Sequence, residues 1–288
     1  MNLRTTLGSY IVRLTRAAAA ILPGLTMAGA IAEQLPLWEF GAGVSVIDFP
    51  DYRGSAERRT WVLPFPYFVY RGEFLKADER RVRGLFFKTE NVELDTSING
   101  TVPVKSSENT ARQGMPDLDA TLEIGPSLNF SLLKSADRKT TLELRLPVRA
   151  VFASDFSYVD FVGWVFQPAL SVDTRDAFGY TGWKLGLLGG PVYSNGEYNR
   201  YFYAVDPAFA TPSRPAYSPG GGYGGVQFIA AFSKRSRDFW IGGFAKWDTL
   251  NGAVFADSPL VTDKQTFSWG IAVAWMIGES KTRVETER

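Results

Sequence analysis

Leu142, Leu144, Leu146, Val148, Ala150 and Phe152 occupy every second position of one stretch, and Glu143, Arg145 and Arg149 lie between them. A β-strand sends successive side chains to opposite faces. This segment is therefore a strand with one apolar face and one charged face. The same alternation recurs along most of the chain. Trp38–Val46 places Trp38, Phe40, Ala42, Val44 and Val46 opposite Glu39, Gly41, Gly43 and Ser45. Val92–Val102 and Asp117–Leu132 repeat it, with Glu93, Asp95, Asp119 and Glu123 on their polar faces. Later strands are predicted at Val162–Asp173, Trp183–Leu187, Val226–Phe232, Phe239–Leu250 and Phe267–Ile277. The polar parity of Phe239–Leu250 includes Lys246 and Asp248. Trp61–Phe74 is aromatic and strand-like but carries Pro64 and Pro66, which argue against a regular central strand. A bent or bulged strand is expected there.

The connections also carry a pattern. Lys134–Lys139 and Lys234–Arg237 are short polar turns, whereas 103–116, 194–221 and 251–263 are long loops. Short turns alternating with long loops, joined by amphipathic strands of about 10 residues, are the signature of an antiparallel transmembrane β-barrel. About 12 strands are expected if Trp61–Asp78 divides at Arg71-Gly72, and 10 if it does not. A soluble β-sandwich alternates too, but its strands average roughly 5–6 residues, shorter than these. The ends of the predicted strands are also rich in Trp and Tyr, as at a membrane interface.

The ends of the chain fit export. Arg4, Arg13 and Arg16 precede an apolar run from Ala17 to Ala32 that is broken by Pro23-Gly24 and finishes in small residues. Residues 1–32 are expected to be a secretory signal peptide, cut after Ala32. Residues 33–277 would form the barrel, and 278–288 a charged periplasmic tail. In the last strand Ser268, Gly270, Val273 and Trp275 follow the polar-x-Gly-x-x-apolar-x-aromatic form of a barrel-assembly signal. That implies recognition by barrel-assembly machinery and residence in outer-membrane lipid.

Composition narrows the chemistry. The 288 residues contain no His and no Cys. A Ser-His-Asp triad, His-ligated zinc or haem, and thiolate metal sites are therefore absent, and neither an enzyme nor a bound cofactor is expected. The first 32 residues hold three arginines and no acid, so the remainder carries −2 against +1 for the whole chain. That balance gives no electrostatic case for nucleic acid.

Four stretches resemble a known family: Asp51-Tyr-Arg-Gly-Ser55; Leu63-Pro-Phe-Pro-Tyr67 with Tyr70-Arg-Gly72; Tyr201-Phe-Tyr-Ala-Val205 with Pro207 and Ala210; and Gly252–Val261. Together they resemble the MltA-interacting protein (MipA)/OmpV family of outer-membrane barrels, from about Trp38 to Ile277. The resemblance implies a scaffold that links a lytic transglycosylase to a murein polymerase. The alternative is a small-solute pore or ligand-binding barrel.

Two candidate sites follow. Arg81, Arg83, Glu93, Asp95, Asp119, Glu123, Glu143, Arg145, Arg149, Lys246 and Asp248 would face the lumen. They would act either as a charged constriction or, the preferred reading, as a ladder of ion pairs filling a narrow barrel. Asp257, Ser258 and Pro259 lie in the strongest family motif. They would contact a partner or, as preferred, belong to a loop folded back into the mouth. The 194–221 loop, with Tyr201, Phe202, Tyr203 and Tyr217, would bind surface ligands or pack as a lid.

Overall fold

The computed structural model describes residues 34–72, 74–77, 82–155 and 157–285. The proposed signal peptide and Arg81 lie outside them. Fifteen strands run in chain order: β1 (Gln34–Pro36), β2 (Trp38–Pro50), β3 (Arg58–Arg71), β4 (Leu75–Ala77), β5 (Val82–Lys88), β6 (Val92–Thr101), β7 (Ala120–Lys134), β8 (Thr140–Ser154), β9 (Val159–Phe166), β10 (Ala169–Arg175), β11 (Trp183–Ser194), β12 (Gly222–Arg235), β13 (Phe239–Thr249), β14 (Gln265–Glu279) and β15 (Arg283–Glu285). One helix, α1 (Gly196–Tyr203), interrupts them.

From β2 to β9 and from β10 to β14 consecutive strands pair antiparallel, and β14 returns to pair with β2, from Trp269↔Asp48 to Glu279↔Glu39. β9 and β10 both bridge β8 and β11, so they occupy one position in the wall. The wall therefore has twelve positions, as the division at Arg71-Gly72 requires. Short turns lie at one end, here the inner end, and long loops at the other. Both chain ends are at the inner end. There β1 and β15 form a separate two-stranded sheet, so residues 283–285 of the tail are paired.

Burial is inverted relative to a soluble protein. Val148, Leu122, Ile124, Phe267, Ile271 and Trp275 are exposed, while Arg149, Glu123, Asp95, Ser127 and Asn129 are buried. Apolar side chains on the outside and satisfied polar groups inside are what a lipid solvent demands of a closed sheet. Among the described residues no helix is long and apolar enough to cross a membrane.

Two expectations need correction. β3 carries no bulge along β2: thirteen residues pair from Trp38↔Tyr70 to Pro50↔Arg58 without a shift. Val162 does not share a face with Trp164. A bulge opposite Val151/Phe152 flips the parity, with Gly163 at φ +136°. Val162 is buried inward while Phe161 and Trp164 face outward. Only glycine adopts that backbone without strain.

Candidate functional site: a neutralised lumen under an apolar plug

The lumenal charges meet across strands. On the wall nearest the outer loops, Arg149 Nε donates to Glu123 Oε2 at 2.8 Å, with both side chains 5% exposed. Its other nitrogens donate to Ser97 Oγ at 3.2 Å and Gln167 Oε1 at 2.7 Å. Gln167 Nε2 then donates to Gln227 Oε1 at 2.8 Å, and Gln227 Nε2 to Asp248 Oδ1 at 3.0 Å. Asp248 also takes Arg53 Nε at 2.8 Å and lies 3.4 Å from Lys246. One chain of bonds thus runs round the lumen from β6 to β13. Gln167 reaches it from the break between β9 and β10, where its backbone N–H still donates to Pro147 O of β8 at 3.3 Å.

Further in, Arg145 bridges Glu143 and Asp173, both at 2.9 Å. Arg83 lies 3.8 Å from Glu93, and Asn129 donates to buried Asp95 at 3.1 Å. At the inner end Glu39 accepts from Arg71 at 2.7 Å and Arg235 at 2.8 Å. Asp119 is not lumenal. It sits at the outer rim, where its backbone N–H donates to the Tyr201 hydroxyl and its carboxylate accepts from Tyr158 at 2.7 Å. That bond to Asp119 pushes the Tyr158 hydroxyl up to about 12.

The outer mouth is filled. The connections 51–57, 102–119, 195–221 and 250–264 fold inward over the lumen. Their Tyr52, Val104, Leu118, Phe202, Tyr203, Leu250, Phe255 and Leu260 bury together against Val151, Ala153, Val165 and Val192 of the wall. Tyr203 and Phe255 stack with centroids 3.8 Å apart, a contact worth about 0.5–1.5 kcal/mol beyond the area it buries. Burial pushes the Tyr52, Tyr198 and Tyr203 hydroxyls up, so they stay donors. Tyr52 donates to Leu260 O at 2.8 Å and Tyr203 to Arg53 O at 3.0 Å.

Local sequence builds this plug. Asn195 caps α1: its Oδ1 accepts from Tyr198 N–H and also from Trp164 N–H at 2.9 Å, which fixes the helix to β9. Asn109 donates to Asp51 at 2.9 Å and Ser55 at 3.1 Å. Arg112, pushed down by burial, donates to Phe202 O at 3.2 Å. Arg53 joins plug to lumen. Burial opposes its charge most, yet the facing Asp248 carboxylate together with the Tyr203 and Tyr198 hydroxyls outweighs that and raises it.

The Gly252–Val261 motif belongs to the plug. Ser258 is buried and donates to Tyr203 O at 2.7 Å, and Pro259 is half-buried beside Leu260. Asp257 points out and is 3.6 Å from Lys264. In the last strand Trp275 and Val273 face lipid. Gly270 turns inward, where a Cβ would lie 2.6 Å from the Phe244 ring opposite it. Glu39, Arg53, Arg71, Gln167, Asp173, Gln227 and Arg235 complete the lumenal network but were not among the candidate lumen charges. Glu39, Gln167 and Asp173 at least stand on polar parities. Arg53 lies in a turn, where alternation carries no signal.

Chemically, the arrangement neutralises charge rather than presenting it. Among the described residues no cluster of acidic groups is suited to hold a metal ion.

Distant structural likenesses are to bacterial outer-membrane proteins. The NanC porin aligns with a TM-score of 0.35 at 9% identity, covering 84% of this chain and 100% of that one. The Pseudomonas putida toluene transporter TodX gives 0.27 at 7%, covering 83% and 89%. OprG from Pseudomonas aeruginosa gives 0.22 at 9%, covering 85% and 95%. Function does not follow from likeness at this level. No curated protein sequence matches the chain. The family model described as MltA-interacting protein MipA matches residues 41–277, from the fourth residue of β2 past the plug to the end of the lipid-facing face of β14. That span is the bulk of the chain, and the protein belongs to the MipA family.

Proposed function

We propose that the protein is an interaction barrel of the outer membrane that holds a lytic transglycosylase, and through it a murein polymerase, at the periplasmic face. One observation carries this reading over that of a pore: the outer mouth is packed with a buried apolar core contributed by four connections. A conducting pore needs a hydrated mouth, and burying Phe255, Leu260 and Tyr203 together removes it. The lumenal charges below are tied to opposite charges in groups of two and three, which favours packing over ion selection. The β1–β15 sheet and the short turns at the inner end supply the docking surface, and the family description names MltA as the partner of its namesake. Residues 1–32 serve as the export signal and the last strand as the address for barrel assembly. The protein acts without catalysis.

Two measurements test the proposal together. In planar bilayers the folded protein should give no steady single-channel steps; regular steps would establish the pore instead. Purified protein on beads should enrich a MltA-type transglycosylase from solution, and a murein polymerase only in its presence. No enrichment of either would overturn the scaffold.

A further inference from the structure

Among the described residues the wall is not paired all the way round. β3 pairs with β2 along its length, but on its other edge β4 meets only Tyr70 and Arg71. β6 pairs with β7 from Val92 to Thr101, but with β5 only as far as Asp95. Arg58–Val69 and Thr96–Thr101 therefore face one another across an unpaired seam in the half nearest the outer loops. Four residues join Ala77 to Val82, which are themselves paired. That length of chain cannot add a strand along the roughly 40 Å of β3 edge left open.

The phase of the ladder shows which backbone groups face the seam. Arg71 N–H donates to Leu37 O at 2.8 Å and Asp51 N–H to Glu57 O at 2.9 Å. In an antiparallel pair both polar groups of a residue point to the same side, and the side alternates. Odd-numbered residues of β3 thus bond β2, and even-numbered ones turn their backbone to the seam. Pro64 and Pro66 are even. They remove two of the donors that an added strand would use, the usual way of blunting an exposed edge. The edge is built to refuse a strand, whether from a partner or from a second copy.

What the seam offers instead is apolar. Trp61, Leu63, Phe65, Tyr67 and Val69 point inward from β3. Tyr67 and Val69 are buried against Trp240 and Ala274. Trp61 and Leu63, nearer the outer loops, are 38% and 40% exposed. On the lipid side Val62 and Phe68 of β3 and Ile98 of β6 are exposed as well. Opposite Ser97 of β6, which accepts from Arg149, an apolar surface therefore runs from the lipid-facing belt, over the open edge, to the lumenal face of β3. It is continuous with the membrane interface, and that continuity names its occupant.

We propose that the seam is a lateral port that takes up the alkyl chain of an amphiphile from the surrounding leaflet and lays it against Trp61, Leu63 and Phe65. The buried cluster of Tyr67, Val69 and Trp240 forms the floor of the site. An alkyl chain requires no hydrogen bonds from this strip. The port is independent of any periplasmic partner.

The test uses the full chain folded into phosphatidylcholine vesicles and titrated with cis-parinaric acid, a fatty acid excited by energy transfer from tryptophan. Saturable binding above partition into empty vesicles is expected. Leu63→Glu should weaken it by about tenfold or more, because a carboxylate would lie against the chain. Ile271→Ala, on the lipid face of β14, should leave it unchanged. Trp61→Phe should lower the transferred emission at saturation without shifting the midpoint, a readout of position that does not depend on the Leu63 variant folding. Binding that never saturates, or that is indifferent to Leu63→Glu in a folded barrel, would overturn the port. So would Val62→Cys chains that couple quantitatively into disulfide dimers, which would assign the edge to a second copy.

Discussion

Replacing Arg149 by Met asks whether the lumen is dry. The substitution keeps an unbranched stem of similar width but removes the guanidinium, and with it the ion pair to Glu123 at 2.8 Å and the bonds to Ser97 and Gln167. At that separation two unit charges attract by about 1.5 kcal/mol in bulk water and about 6 kcal/mol at an effective dielectric constant near 20. Both side chains are 5% exposed, so the second regime applies. Desolvation offsets part of that attraction, and breaking one side of a buried pair leaves a cost of about 3–5 kcal/mol. The expected loss for Arg149→Met is in that range. It can be measured by urea unfolding in detergent, followed by tryptophan emission and by the heat-modifiable gel shift. Adding Glu123→Gln removes the stranded charge and should restore at least half of the loss, because the penalty lies in the unpaired carboxylate. A loss under about 0.5 kcal/mol for Arg149→Met would refute the reasoning. It would mean that water screens the pair and that the lumen is an aqueous channel at this level.

Phe255→Ala should remove the stack on Tyr203 and open a cavity in the plug, at a cost of about 3–5 kcal/mol. Brief conductance bursts should then appear in planar bilayers, and a silent variant would show that the plug does not close the barrel. Gly270→Leu places side-chain atoms where the Phe244 ring lies and should destabilise the barrel by about 1–3 kcal/mol, seen as a smaller heat-shifted fraction; Ile271→Ala serves as control. Between two inner turns, Asp176 is held below the usual carboxylate range, first by its bond from Lys139 and then by Gly182 N–H, and Lys139 is raised in turn. The depressed Asp176 stabilises this link above the ordinary carboxylate range and loses the effect as pH falls through its lowered value. The raised Lys139 loses it only as pH rises through its own. The Gly182 amide shift should therefore stay flat across neutral pH and move only in acid; a transition between about pH 5 and 8 would contradict it.

Most of the wall is legible because lipid and lumen impose opposite chemistry on alternate residues. Leu142–Phe152 states both solvents in one segment, and the hairpin at Arg71-Gly72 is marked by the glycine. Parity fails where the ladder does. At Gly163 one extra residue turns Val162 inward, and nothing in the apolar run Phe161-Val162 betrays it. The plug is less visible still: Phe255 and Leu260 lie in a loop, and burial in a loop has no period. Arg53 and Gln227 meet Asp248 only because strands far apart in the chain close into one cylinder. Pro64 and Pro66 mark β3 as irregular in the sequence, yet its register with β2 carries no bulge, and both prolines lie on the open edge. Their two-residue spacing specifies which edge of β3 loses its donors, and only the strand order shows that no neighbour waits there.

That open edge sets the mechanics of the barrel. A fully paired cylinder has no free end from which to unzip, since every strand is clamped on both sides. Here the place where the chain closes on itself is reinforced: β14 pairs along β2, Glu39 joins Arg71 to Arg235 within, and β1 clasps β15 outside. The weak line is instead the outer half of β3, held on one side only. Under a pulling force the barrel should tear there, peeling β3 from β2, while the junction of first and last strands holds.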